Sequence, residues 1–271
     1  MTRAAFAQNS PSLARRSTMT LGMAQLAPRG ISEDWWLKHC GDVHWQLIAA
    51  AVGQNTTVFR DAQGRQLYAA FCASEFTQVQ PDLVGLGQAL DVQSELWAAG
   101  RSRIQSNHRL FVGGVEVARI QLVSTFVAHM EAGINASVRR ATPYLIPVLE
   151  PAPDDFAKRA SAAAKRDRQS IYHAKNKVVL PTHIGMDFNA VGLLYFPSFT
   201  RLFEQTEAVL CDALGWRPVM QRSVLYFGNI EAGDAVIGGV PRAHGHAFEL
   251  WKTETAETAP IILANCTLTR F

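Results

Sequence analysis

The segment from Thr182 to Glu207 reads THIGMDFNAVGLLYFPSFTRLFEQTE, placing the carboxylate of Asp187 and the amide of Asn189 at a turn ahead of an apolar helical pattern. A carboxylate in such a place can act as a base or nucleophile. An asparagine can do neither, because it has no titratable proton and is a poor nucleophile at neutral pH. The same pair also reads as a turn that starts a buried helix. Asn265 is a second amide of interest: Ile261, Leu263, Asn265 and Thr267 alternate onto one strand face, so Asn265 interrupts an apolar row. A buried amide needs a partner, either a ligand oxygen or a backbone group. His244 and His246 fall on one strand face without a third ligand nearby, and two imidazoles alone make a weak metal signal. The four cysteines, Cys40, Cys72, Cys211 and Cys266, lie far apart with no CxxC pair. No metal centre or disulfide framework is expected, and the protein suits a reducing, cytoplasmic setting.

The elements that must position these residues occur as a repeat. LGMAQLAPRGISEDWW begins at Leu21 and IGMDFNAVGLLYFPSF at Ile184; both open with an apolar residue, Gly and Met, reach a second glycine (Gly30, Gly192), and continue into an amphipathic helix. The first helix is predicted from Ser32 to Val52, with Ser32 as N-cap and Glu33 and Asp34 in its first turn. Strands are expected over 57–61, 66–77, 93–110 and 115–129. The second helix is expected over 197–214, followed by strands over 219–230, 246–253 and 260–270. Prolines at 143, 147, 151 and 153 mark a crossing connection. After it, FAKRASAAAKRDRQ reads as a basic helix, either solvated or bringing Lys158, Arg159, Lys165 and Arg166 to an anionic ligand. The division that follows is a disordered tail over 1–17, one unit over 18–142, a linker with the basic helix over 143–176, and a second unit over 177–271. The acid-free, arginine-containing start also has the composition of an organelle transit peptide.

Of the 271 residues 48% are hydrophobic and 18% charged, with a net charge of +3. The charge is even along the chain, which argues against a dedicated nucleic-acid surface. No apolar run approaches the ~20 residues of a membrane helix.

MDFNAVGLLYFPSFTRLFEQTE resembles the hotdog signature of the hydroxybenzoyl-CoA thioesterase type, in which Asp-x-Asp, a glycine, an aromatic pair and a helical glutamate recur; here Asn189 stands at the second acid. Over about Thr18 to Phe271 the chain more closely resembles the double-hotdog acyltransferase/decarboxylases of polyketide pathways (LnmK-type) and their biosynthetic relatives. GMAQLAPRGISEDWWLKHCGDVHW, FRDAQGRQLYAAFCA and GMDFNAVGLLYFPSF carry that likeness. The resemblance implies an α+β double hotdog, two curved antiparallel sheets each around one long helix. It also implies transfer of a malonyl- or methylmalonyl-derived acyl unit from CoA to an acyl carrier protein, with decarboxylation. The CoA thioester is then the substrate, no cofactor is bound, and a homodimer is compatible.

The acyl-accepting tyrosine of that family matches Tyr68. A free tyrosine has a pKa near 10, so it needs a base or a cation nearby; His108 is the candidate base, or a binder of the malonyl carboxylate. Asn265 is the candidate partner of the enolate oxygen. Gly30, Ile31, Asp187, Asn189 and Gly192 are the candidate substrate-binding positions, because backbone N–H groups at the two helix N-termini would polarise a thioester carbonyl. Asn189 tells against hydrolysis. Acyl-CoA or acyl-carrier-protein thioesterase or dehydratase activity, and a non-catalytic acyl-chain or carrier-binding module, are the alternatives.

Overall fold

The computed structural model describes residues 13–168, 176–211, 217–240, 247–252 and 261–271. The elements of its first part are β1 (Leu13–Thr20), α1 (Glu33–Ala51), β2 (Phe59–Arg60), β3 (Gln66–Gln78), β4 (Ala89–Ala98), β5 (Arg103–Val112), β6 (Val115–His129) and β7 (Val138–Arg140). After α2 (Phe156–Asp167) come β8 (Lys177–Leu180), the single turn α3 (Ile184–Asp187), α4 (Ser198–Leu210), β9 (Val219–Tyr226), β10 (Val236–Gly239), β11 (Ala247–Lys252) and β12 (Ile261–Arg270).

Both long helices form for reasons the sequence carries. Ser32 Oγ accepts from Trp35 N at 3.4 Å, and Glu33 and Asp34 complement the dipole at the start of α1. Trp36, Leu37, Cys40, Val43, Leu47 and Ile48 then form its buried stripe. In α4 the stripe is Phe199, Leu202, Phe203 and Thr206, and Pro197 stands at the N-cap with φ −68°, where its missing N–H costs nothing.

The strands form one antiparallel sheet in the order β1-β4-β5-β6-β3-β9-β12-β11-β10-β8, with β2 and β7 attached to β3 and β6. With those two set aside, each half reads first, third, fourth, fifth, second strand, and each half's long helix falls between its first and second strands. The two second strands, β3 and β9, pair at the centre. This is the double hotdog expected from the sequence. The helices share a core on one face, where Trp36, Phe76, Phe199, Phe203 and Phe248 are buried; each such side chain contributes ~1.5–3 kcal/mol. The opposite face carries α2, whose Phe156 and Ala157 pack on Ala73 and Val123.

Several expectations change. β1 opens at Leu13, ahead of the 17/18 boundary, and its pairing with β4 runs from Leu13↔Leu96; as an edge strand it needs only one weakly apolar face, which hides it from periodicity. The single strand expected over 93–110 is the hairpin β4–β5, turning through Gly100 at φ +106°. His244 and His246 lie outside the described residues. Among the described residues, no helix is long and apolar enough to cross a membrane, and no cluster of His, Cys, Asp and Glu could hold a metal ion.

Candidate active site

The central ladder is short. β3 and β9 pair only from Ala73↔Leu225 to Thr77↔Gln221, whereas Tyr68 to Phe71 pair with β6 alone. Past Tyr226 the chain peels toward β12, with Phe227 N donating to Leu263 O at 2.8 Å. The separation opens a cavity of about 950 Å³ through the seam between the two halves, lined by Tyr68 to Cys72 from one half and by Asn189, Phe196, Asn229 and Ile262 from the other. Gly41 and Trp45 of α1 reach its helix side. A Cβ on Gly41 would stand 3.0 Å from the Phe196 ring, so glycine there lets α1 and that ring close together.

The loop before α4 is held by its own polar groups. Asp187, 1% exposed, accepts Arg201 Nε and Nη2 at 2.9 and 2.7 Å and His183 N at 2.8 Å. It is therefore an anchor of the loop rather than a ligand group. Asn189 Oδ1 accepts Val191 N and Leu193 N at 3.1 and 3.0 Å, the local bonding that asparagine offers a turn. Gly192 takes φ +79°, a left-handed conformation that suits glycine. Its carbonyl accepts Asn135 Nδ2 at 2.7 Å, and it does not line the cavity.

This bonding consumes the backbone donors expected at the helix start. Gly192 N donates to Asn189 O and Tyr195 N to Asp187 O, and Leu194 N donates to Asn229 Oδ1 at 2.9 Å. The oxyanion role assigned to these amides therefore fails. Among the described residues the side-chain Nδ2 of Asn189 keeps no protein acceptor, and its orientation is fixed by the two bonds to Oδ1.

Tyr68 is half-buried, its ring edge-on to His129 with centroids 5.7 Å apart. His129 Nε2 lies 2.9 Å from Asn135 Oδ1. Tyr68 is opposite Val127, which is opposite Arg140, so the tyrosine and a guanidinium share a sheet face. Cys72, at a bulge in β3, is a lining residue whose thiol donates to Val123 O at 3.3 Å. Burial pushes its pKa up, against the pull of Arg103, Arg140 and Arg168. Asp42 is the one carboxylate among the described lining residues; desolvation raises its pKa, partly offset by His39. Tyr195 is pushed up to about 12, first by burial and then by the Asp42 charge.

Three expected groups lie elsewhere. His108 is fully buried in a chain of hydrogen bonds. Ser94 Oγ is 2.8 Å from His108 Nδ1, His108 Nε2 is 2.8 Å from Ser106 Oγ, and Ser106 Oγ is 2.7 Å from His44 Nδ1. His44 Nε2 closes the chain 2.7 Å from Ser124 Oγ. Burial lowers the pKa of both histidines to about 3, and His108 does not line the cavity, so it is not placed to serve a substrate there as base or as carboxylate binder. Asn265 points to the α2 face, donating to Asp167 Oδ2 at 2.9 Å. The expected row breaks because the β11–β12 register shifts there, putting Leu263 and Ala264 both in the core. Gly30 and Ile31 are buried away from the cavity: Ile31 N donates to Gln78 Oε1 at 3.0 Å, and a Cβ on Gly30 would stand 1.8 Å from that same oxygen.

The residues that sequence reasoning missed are Asn229, Asn135, Arg140 and Arg168. Asn229 and Asn135 lie in connections between strands, Arg140 ends β7 and Arg168 follows α2; only Arg168 had a signal, because it lies within the basic stretch FAKRASAAAKRDRQ. Of that stretch none of Lys158, Arg159, Lys165 and Arg166 lines the cavity, and Arg159 pairs with Asp155 and Glu75.

No protein-family model matches the chain, and no curated protein matches it. Solved structures do. An acyl-ACP thioesterase from Bacteroides thetaiotaomicron matches with a TM-score of 0.65 and 8% identity over 95% of this chain and 98% of that one. The 12:0-ACP thioesterase from Umbellularia californica matches with 0.64 and 10% over 97% and 100%. An oleoyl thioesterase (putative) from Lactobacillus plantarum matches with 0.58 and 8% over 96% of each. The likeness spans both halves and is one of fold: a hotdog-type α+β architecture.

Proposed function

We propose that the protein is an enzyme acting on acyl thioesters in the seam cavity, with Tyr68 as the acyl acceptor. The observation that supports this best is that Tyr68 and Asn189, from opposite halves, line one cavity of about 950 Å³. A tyrosine nucleophile gives up its phenolic proton as it attacks. The phenolate oxygen attacks the thioester carbon, the C–S bond breaks, and the thiol leaves with the phenolic proton. The aryl ester then passes to the thiol of an acyl carrier protein, restoring Tyr68. Where the acyl unit is malonyl-type, loss of carbon dioxide leaves an enolate that takes a proton from water. In this reading Asn189 Nδ2, a cavity-lining donor without a protein acceptor among the described residues, serves the thioester oxygen in both steps. The LnmK-type resemblance supports this reading.

Hydrolysis, as in the thioesterases that share the fold, is the second reading, and Asp42 is the cavity carboxylate that favours it. Incubation with malonyl-CoA and methylmalonyl-CoA, with and without a holo carrier protein, separates the two. Transfer predicts CoA release with the acyl group retained on protein or carrier, and loss of both in Tyr68→Phe. Free acid appearing as fast in Tyr68→Phe as in the wild type, and slowed in Asp42→Asn, would establish hydrolysis instead.

A further inference from the structure

The charged groups around the cavity are unevenly placed. Asp42 comes from α1, on the helix side of the sheet, whereas Arg139, Arg140, Arg168 and Lys252 come from β7, the end of α2 and β11. Arg140 lies in the cross-strand row of Tyr68. Arg168 sits with its guanidinium carbon 5.5 Å from the centre of the Phe227 ring, also in the cavity wall. Arg103 is committed to Ser161 Oγ, and Arg139 donates to Ala136 O and Val138 O. Neither Arg140, Arg168 nor Lys252 forms an ion pair within the described residues. Asp167, next to Arg168 in sequence, accepts from Asn265 Nδ2. Arg140 and Arg168 both act on the Cys72 thiol in the cavity wall, and cations brought together repel one another and attract an anion. The apolar part of the lining includes Trp45 of α1, Phe196 of the loop before α4, and Phe199 of α4.

We propose that Arg140 and Arg168, with Arg139 and Lys252 beside them, bind the phosphate end of a phosphopantetheine thioester. The ligand then enters from the α2 face of the sheet, places its thioester at Tyr68, and directs its acyl end between α1 and α4. This rests on the acyl-thioester reading above. The shared chemistry is a phosphate on a pantetheine arm; free CoA and an acyl carrier protein both present it.

Titration calorimetry with S-propyl-CoA and S-propyl-pantetheine, thioethers that cannot transfer an acyl group, tests the assignment. Wild-type protein binds the CoA thioether about tenfold or more tightly than the pantetheine thioether, a gap that narrows with added salt. In Arg140→Ala/Arg168→Ala that gap falls to about threefold or less with pantetheine binding unchanged, and Arg140→Lys/Arg168→Lys restores much of it. Thermal unfolding confirms that the variants fold. A carrier protein bearing the S-propyl arm distinguishes the sources: weakening of both ligands assigns the arm's own phosphate, and weakening of CoA alone assigns its nucleotide phosphates. No gap in the wild type, or a gap the double alanine variant leaves intact, overturns the proposal. If neither thioether binds the wild type, the acyl-thioester reading falls and takes this subsite with it.

Discussion

The ladder joining the two halves has two ends that a local two-fold relates, and they are finished in different ways. Its register, from Ala73↔Leu225 to Thr77↔Gln221, makes Gln78 the counterpart of Tyr226 and Arg222 the counterpart of Ser74. At one end Ser74 Oγ and Tyr226 Oη share a 2.8 Å hydrogen bond, and the cavity opens beside them. At the other, Gln78 spans the gap, accepting from Ile31 N at 3.0 Å and donating to Val219 O at 2.8 Å. There Arg222 fills the interior, 3.2 Å from Glu33 and also paired with Glu204, which in turn meets Arg270. A repeated fold thus supplies two equivalent seams, and a few side chains decide which becomes a site. A long amide and a buried arginine close one. A serine and a tyrosine, which satisfy each other locally, leave the other open.

The sealed end is the place to break the structure. Arg222→Met leaves Glu33 buried without its partner, and Glu33 already has a pKa raised by burial. Truncating one member of such a pair costs about 3–5 kcal/mol, read as a fall in the urea midpoint, while Tyr68 chemistry persists in whatever protein remains folded. Arg222→Met/Glu33→Gln recovers part of the loss. At the open end, Asn189→Asp keeps the acceptor for Val191 and Leu193 but removes the Nδ2 donor. Acyl transfer falls by about 10²–10³, while stability changes by less than about 1 kcal/mol; an unchanged initial rate would remove Asn189 from the chemistry.

The buried Ser–His chain of the first half gives an intermediate effect, through pH. His44 and His108 have folded pKa values of about 3 against an ordinary 6.5, so below pH 6.5 the unfolded chain binds protons that the folded one refuses. Their contribution is fully present above pH 6.5 and is lost as pH falls toward 3, at up to about 1.4 kcal/mol per pH unit for each histidine. Denaturant midpoints taken from pH 7 to pH 5 should show this slope, and His108→Gln should flatten it. Smallest of all is Asn265→Leu: with its amide facing Asp167 on α2, it shifts stability by about 1 kcal/mol or less and leaves acyl transfer within about twofold.

How far the sequence revealed all this depends on what carried each signal. α1 was legible because a cap, an acidic first turn and a three-to-four apolar stripe coincide over Ser32–Ile48, and β6 because it is long and bounded by Gly113-Gly114 and the turn after His129. The edge strands β1 and β8 and the short β10 lack that redundancy. Tyr68 and Asn189 were singled out by their motifs, and both line the cavity. Asn265 was misplaced because a one-residue register shift sends its neighbours to the opposite face, which no alternation count can foresee. Gly30 and Ile31 failed as ligand groups because Gln78, distant in sequence, takes their space and their donor. Arg140 had no pattern to betray it and Arg168 only its place in the basic stretch, since a surface cation becomes meaningful only beside others brought from separate elements.

The claim that chemistry belongs to the open seam is tested most directly by quenching the protein with malonyl-CoA or methylmalonyl-CoA present and mapping its peptides by mass spectrometry. The account predicts an acyl mass on the peptide containing Tyr68, absent from Tyr68→Phe and discharged by a holo carrier protein. Turnover of the thioester with no adduct on Tyr68, at a rate Tyr68→Phe leaves unchanged, would contradict it.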